Sequence, residues 1–163
     1  MLGNLLTQED CQQCKLCCKF KPAELVEAPL FTTAQKNLVL TKINPNVQFL
    51  PVGQLWRIQL VKLPDQDKYL CPVLEENKGC QLGADRPFDC RIYPYLIMRT
   101  SPTKLAISVV TTCPIFNAHS TEKLQAFLAH SLKAKILETM QTMPELAMDY
   151  YDNTRILEQL DQP

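Results

Sequence analysis

The sequence predicts an α+β fold: a small antiparallel sheet, cysteine-rich loops and two C-terminal helices. Three observations carry this. Short runs with two-residue alternation occupy the middle of the chain, apolar residues recur at helical spacing after residue 119, and eight cysteines stand in the turn-rich segments. With 163 residues and 46% hydrophobic content, the chain has one ordinary domain's worth of core and buries roughly 70% of its unfolded surface. It reads as a single cysteine-cluster domain over 1–163, with a core at 11–114 and a C-terminal helical part at 119–161.

The elements follow in order. Residues 1–30 are irregular, punctuated by Pro22 and Pro29. Thr32 and Thr33 are N-cap candidates for a helix through Leu40 and Lys42, stopped by Asn44-Pro45. Residues 56–63 alternate Trp56, Ile58 and Leu60 against Arg57, Gln59 and Val61, the pattern of a half-buried strand. A turn at Pro64-Asp65-Gln66-Asp67 sends the chain back through Tyr69-Leu70-Cys71. Pro87 suits the first position of a short helix carrying Asp89 and Cys90, which Pro94 ends. Residues 95–99 and 104–110 read as strands joined through Ser101-Pro102. Ser120 caps a helix whose apolar face is Leu124, Phe127, Leu128, Leu132, Ile136 and Leu137, and Pro144 starts a last helix through about Leu160.

Charge excludes several functions. Lys plus Arg is 17 and Asp plus Glu is 17, so neither a nucleic-acid surface nor a polybasic membrane patch has compositional support. No apolar run approaches the roughly 20 residues that span a bilayer, and the first ten residues lack the basic and apolar regions of a secretory signal. The expected location is the cytoplasm, where thiols stay reduced and clustered cysteines act as metal ligands or redox groups; a disulfide framework is the alternative. With four glycines there is no phosphate-binding loop, and neither a Gly-x-Ser-x-Gly elbow nor a His-Glu-x-x-His helix occurs.

The cysteines form two groups. Cys11, Cys14 and Cys17 repeat at three-residue spacing with Cys18 adjacent, close enough along the chain for pairs of sulfurs to reach one metal. Cys71-Pro72, Cys80, Cys90-Arg91 and Cys113-Pro114 are spread, and 52 residues separate Cys18 from Cys71. Folding must therefore bring the groups together. All eight are candidate metal ligands, in cysteine-rich metal-binding loops. Arg86 and Arg91 flank Cys90 and are candidates for offsetting thiolate charge around the bound group, with ordinary salt bridges to Asp85 or Asp89 as the alternative. His119 and His130 are read as surface or cap residues, Trp56 as core, and Tyr93 and Tyr95 as core or site walls.

These motifs, Cys14-x-x-Cys17-Cys18, Cys71-Pro72-x-Leu74, Gly79-Cys80, Arg86-Pro87-x-x-Cys90-Arg91 and Tyr93-Pro94, resemble the CxxCxxCC family of YkgJ-type cysteine-cluster proteins across residues 11–114. The resemblance implies a zinc- or iron-chelating domain built on the cysteines, and Cys113-Pro114 fits the family's late cysteine. Some longer relatives look like flagellin lysine N-methylases. The Cys11, Cys14, Cys17 repeat with a distant Cys-Pro is similar to a ferredoxin run and favours a 4Fe–4S iron–sulfur cluster, with Cys71 or Cys113 as the distant ligand. Zinc competes, since eight thiolates saturate two four-cysteine sites. The expected function is a metal-binding protein holding an iron–sulfur cluster or Zn2+, with a redox or protein partner. An iron–sulfur oxidoreductase, a protein-methylation component and a zinc-stabilised interaction domain are the alternatives.

Overall fold

A computed structural model of the chain describes residues 2, 5–7, 10, 14–64, 66–76 and 78–161. They gather into two compact units, Thr7–Arg91 and Met1–Leu6 with Ile92–Pro163. Small antiparallel sheets and helices make the fold α+β, as predicted.

In the unit 7–91, strand β1 (Lys19–Phe20) follows the first cysteines, and β2 (Leu30–Phe31) leads into helix α1 (Thr33–Leu38). Thr32 caps α1 reciprocally. Its hydroxyl accepts the Gln35 amide at 3.3 Å, and the Gln35 side chain accepts the Thr32 amide at 3.0 Å. A π turn, Val39–Ile43, continues the helix, with Val39 fully buried, and Asn44-Pro45 follows as expected. Strands β3 (Phe49–Val52) and β4 (Leu55–Ile58) form a hairpin around Gly53, whose φ of 56° is free for a residue without a Cβ.

The expected strand over 56–63 divides. β4 ends at Ile58 and lies between β2 and β3, whereas β5 (Val61–Lys62) joins a separate sheet with β6 (Tyr69–Leu70) and β1. Each half pairs with its own hairpin neighbour, so one alternating run serves two sheets. A further hairpin, β7 (Leu74–Glu75) with β8 (Gly79–Cys80), precedes helix α2 (Phe88–Ile92). The core of this unit holds Phe20, Phe31, Val39, Ile58 and Val73, together with Cys71.

The other unit contains a four-stranded sheet in the order β11 (Met148–Asp149), β9 (Tyr95–Ser101), β10 (Lys104–Val110), β12 (Thr154–Asp161). Helix α3 (Pro114–Asn117) is followed by α4 (Thr121–Phe127), which Ser120 caps by accepting the Lys123 amide at 3.3 Å, and α5 (Lys133–Thr142). The buried residues Leu124, Leu128, Leu132 and Ile136 recur every four positions. At about 100° per residue an α-helix overshoots by roughly 40° at each such step. A π turn at Leu128–Leu132 winds more slowly and brings the face back into line. Leu137, expected on that face, is 40% exposed. Tyr95 is fully buried, donates its hydroxyl to the Leu124 carbonyl at 3.0 Å and meets Phe116 edge-on.

The helix expected from Pro144 to Leu160 is not what this segment forms. Pro144–Leu146 makes one tight turn, and the chain then gives β11 (Met148–Asp149) and β12 (Thr154–Asp161). A bulge interrupts the two-residue alternation of β12. The pairing of β10 with β12 jumps from Ile107↔Glu158 to Ser108↔Ile156, leaving Leu157 as the extra residue. Thr154 and Leu157 are both buried, three apart, a spacing that imitates a helix. The Leu157 carbonyl accepts instead from the Gln125 side chain at 2.9 Å.

Ser108, within β10, is fully buried and its hydroxyl has no hydrogen-bond partner. Ser108→Ala removes that unmet group and is expected to raise unfolding stability by about 1 kcal/mol in urea. A loss of stability would show that the hydroxyl is satisfied in solution.

Candidate metal centre

The N-terminal cysteines enter the fold through a tight turn. Lys15 sits at φ 52°, the left-handed region, and reverses the chain between Cys14 and the 3₁₀ turn Leu16–Cys18. The Cys18 amide donates to the Lys15 carbonyl at 3.2 Å, and the Lys15 ammonium reaches the Glu76 carbonyl. Cys14, Cys17 and Cys18 are partly buried, and the sulfurs of Cys17 and Cys18 lie 4.0 Å apart.

The second group is joined to the first by backbone pairing. The Cys71 amide donates to the Cys18 carbonyl at 3.1 Å, and β1 and β6 continue the ladder through Lys19↔Leu70 and Phe20↔Tyr69. Beyond Cys71 the chain turns, its carbonyl accepting the Leu74 amide at 3.0 Å, and the β7–β8 hairpin places Cys80 opposite Leu74. Gly83, at φ 53°, turns the chain toward Arg86, whose Nε donates to the Gly83 carbonyl at 2.9 Å. Pro87 then precedes α2, which carries Asp89 and Cys90.

Four thiols form one electrostatic group. Every pair among Cys17, Cys71, Cys80 and Cys90 lies close enough for the charge on one to disfavour charge on the other. Burial pushes the Cys71 thiol up to about 12, helped by Cys80, Cys17 and Asp89. Burial also raises Cys80, and it raises Cys90 well above the ordinary thiol range, with Asp89 and the other three thiols adding to it. Cys17 is held well up first by its contact with Cys18, then by burial. The Arg86 guanidinium opposes these effects at Cys17 and Cys80. Thiols so placed cannot ionise together without added positive charge, which a divalent cation supplies.

The donor chemistry therefore fits a thiophilic metal. Among the described residues, however, no three Cys, His, Asp or Glu side chains stand in a ready-made metal-holding arrangement. Cys71 and Cys90 lie in the unit 7–91. Cys113 is buried just before α3, its carbonyl accepting the Asn117 amide at 3.0 Å. Cys11 lies outside the described residues. Arg91 places its guanidinium 5.8 Å from the centre of the Phe88 ring, and its buried Nε has no hydrogen-bond partner.

Among the described residues neither Arg86 nor Arg91 forms a salt bridge with Asp85 or Asp89. Asp89 instead accepts the Leu30 amide at 2.9 Å and the Cys90 amide at 2.8 Å, and burial pushes its carboxyl up to about 6 against the pull of those donors. Sequence reading missed this role because Leu30 is 59 positions away. Asp89 in the first turn of a short helix was the available signal. His130 is exposed, and His119 has its Nε2 3.3 Å from the Leu5 carbonyl. Trp56 is partly buried against the core, donating to the Thr33 hydroxyl at 3.1 Å beneath the Lys36 ammonium.

A family model described as "Putative zinc- or iron-chelating domain", CxxCxxCC, matches residues 10–114. The chain belongs to the CxxCxxCC family. No curated protein and no solved structure matches it. The family match covers the segments that deliver Cys14, Cys17, Cys18, Cys71, Cys80, Cys90 and Cys113. Among the described residues no helix is long and apolar enough to cross a membrane.

The left-handed Lys15 gives a local test of the first turn. Lys15→Gly is expected to stay within about 1 kcal/mol of the parent in urea unfolding of metal-free protein. Lys15→Val should lose about 1–2 kcal/mol, because a β-branched side chain resists that conformation. Equal stability of the two variants would remove the turn from the account.

Proposed function

We propose that this CxxCxxCC protein chelates one zinc or iron ion through Cys17, Cys71, Cys80 and Cys90, with Arg86 offsetting part of the thiolate charge. The reading is supported by one observation above all. Four thiols from four separate segments, Cys71 buried and the other three partly buried, share one neighbourhood in which each feels the charge of the others. Thiolate donors are the type that zinc and iron select, and a bound cation supplies the charge that allows all four to ionise. Chelation on this reading requires the four sulfurs to draw closer than they stand in the structure. A site closed by four thiolates leaves no open position, so its role is metal holding or support of an interaction surface rather than catalysis. We place the protein in the cytoplasm, where cysteines clustered at metal-ligand spacing stay reduced and able to bind a metal.

An iron–sulfur cluster is the second reading, favoured by the Cys11, Cys14, Cys17 repeat with Cys71-Pro72. In that reading the protein passes electrons to a redox partner, and Cys14 and Cys11 join the ligand set. Anaerobic purification with metal and sulfide analysis separates the two. About one zinc or iron per chain without acid-labile sulfide supports the single-ion site. Iron with stoichiometric sulfide transfers the assignment to a cluster, and the absence of both metals rejects both readings.

Two expected outcomes follow from the thiol electrostatics. Because all four thiols are raised, each is protonated at neutral pH and must release its proton on binding, so zinc titration in weak buffer should release about four protons per ion. Affinity accordingly falls as pH falls; release of two or fewer protons would reject the ligand set. Cys17→Ser and Cys71→Ser should lose most of the metal, by elemental analysis. Full occupancy in both variants would overturn the assignment.

A further inference from the structure

The residue that no motif singled out is Asp89. It is neither an arginine's partner nor an open donor, since its two carboxylate oxygens are already engaged, Oδ2 by the Leu30 amide at 2.9 Å and Oδ1 by the Cys90 amide at 2.8 Å. We infer that Asp89 is a positioning residue for the thiol site, bridging β2 and the first turn of α2 so that the Cys90 thiol is held among Cys17, Cys71 and Cys80. The inference rests on the chelation reading above.

The physical case starts from the helix that carries Cys90. α2 is five residues long, far below the length at which a helix is stable by itself, so its orientation must come from tertiary contacts. Its first-turn amides have no intrahelical acceptors. The Asp89 carboxylate satisfies one of them, at Cys90, from within the helix. Its second oxygen reaches a strand 59 positions earlier in the chain. Leu30 is itself buried and pairs with Arg57 in the β2–β4 ladder, so the carboxylate is anchored on a sheet. A charged group in this setting is costly unless each oxygen is hydrogen-bonded, and here both are. Asp89 and Cys90 are adjacent in α2, so a rotation of the helix that displaces the thiol pulls against the bond to Leu30. The outer-sphere group thus acts on the direction of a ligand, as such groups do in metal sites generally.

Asn and Ala distinguish this role from others. Asn retains one acceptor oxygen but turns an NH2 toward the other amide, so it can serve only one of the two donors. Ala serves neither. The full-length chain, Asp89→Asn and Asp89→Ala are titrated with Co2+, read by the sulfur-to-cobalt charge-transfer band, and with Zn2+ in competition with a chromophoric chelator. Melting of the metal-free proteins is measured alongside. The inference expects Zn2+ affinity to fall about 10- to 100-fold in Asp89→Ala, by less in Asp89→Asn, with a weakened charge-transfer band per cobalt. Equal loss in both variants would mean that the charge matters and not the two bonds, and it overturns the inference. So would a fall in melting temperature with unchanged affinity and spectrum, which marks a purely structural residue.

A second measurement holds even if the variants do not fold. In the parent chain the Leu30 and Cys90 amides should exchange slowly with deuterium, and rapid exchange at both rejects the bridge. Failure of the chelation reading is seen separately: the parent chain then shows neither a cobalt–thiolate band nor zinc competition, and the positioning role falls with it. Parent binding with indifferent Asp89 variants rejects the positioning role alone.

Discussion

The backbone hydrogen bond from the Cys71 amide to the Cys18 carbonyl, prolonged by the β1–β6 ladder, is the constraint on which the thiol neighbourhood depends. It closes a 52-residue separation in the chain. Loop closure over such a distance costs several kcal/mol of entropy, growing only slowly with length, and a two-residue ladder cannot offset it alone. The offset comes from the apolar cluster of Phe20, Phe31, Val39, Ile58 and Val73, which closes around the same pairing. Cys71 is a member of that cluster, so its sulfur is placed by hydrophobic packing before any chemistry is asked of it.

That placement has an electrostatic consequence. A thiol held in a core resists ionisation, and a group of four resists it collectively. Arg86 relieves the resistance at Cys17 and Cys80. The neighbourhood is thus poised to gain from positive charge, which distinguishes it from a reactive-cysteine site, where a single thiol is pulled down by nearby cations. Asp89 adds negative charge to the same region, a cost that makes sense if its two hydrogen bonds determine where Cys90 stands.

Local rules succeeded where the decisive contacts are local. Thr32 and Gln35 are three apart and form the reciprocal cap; Ser120 caps α4; Pro87 stands at the start of a short helix; and the strand at 104–110 ends where expected. They failed where one inserted residue or a partner exchange broke the period. Leu157 bulges out of β12 and turns a two-residue alternation into a three-residue one. The run from Trp56 onward alternates without a break, yet it changes partners after Ile58. Neither event leaves a mark in a window of ten residues.

The sequence by itself determined the α+β class, the family and the existence of two cysteine groups, because periodicity, capping residues and motif spacing are properties of neighbouring positions. Tertiary structure decided which cysteines meet. Cys17, Cys71, Cys80 and Cys90 come from four separate segments to share a neighbourhood, and the Asp89 carboxylate serves the Leu30 amide. Those outcomes turn on strand pairing and burial between residues tens of positions apart, where spacing along the chain carries no information about distance in space.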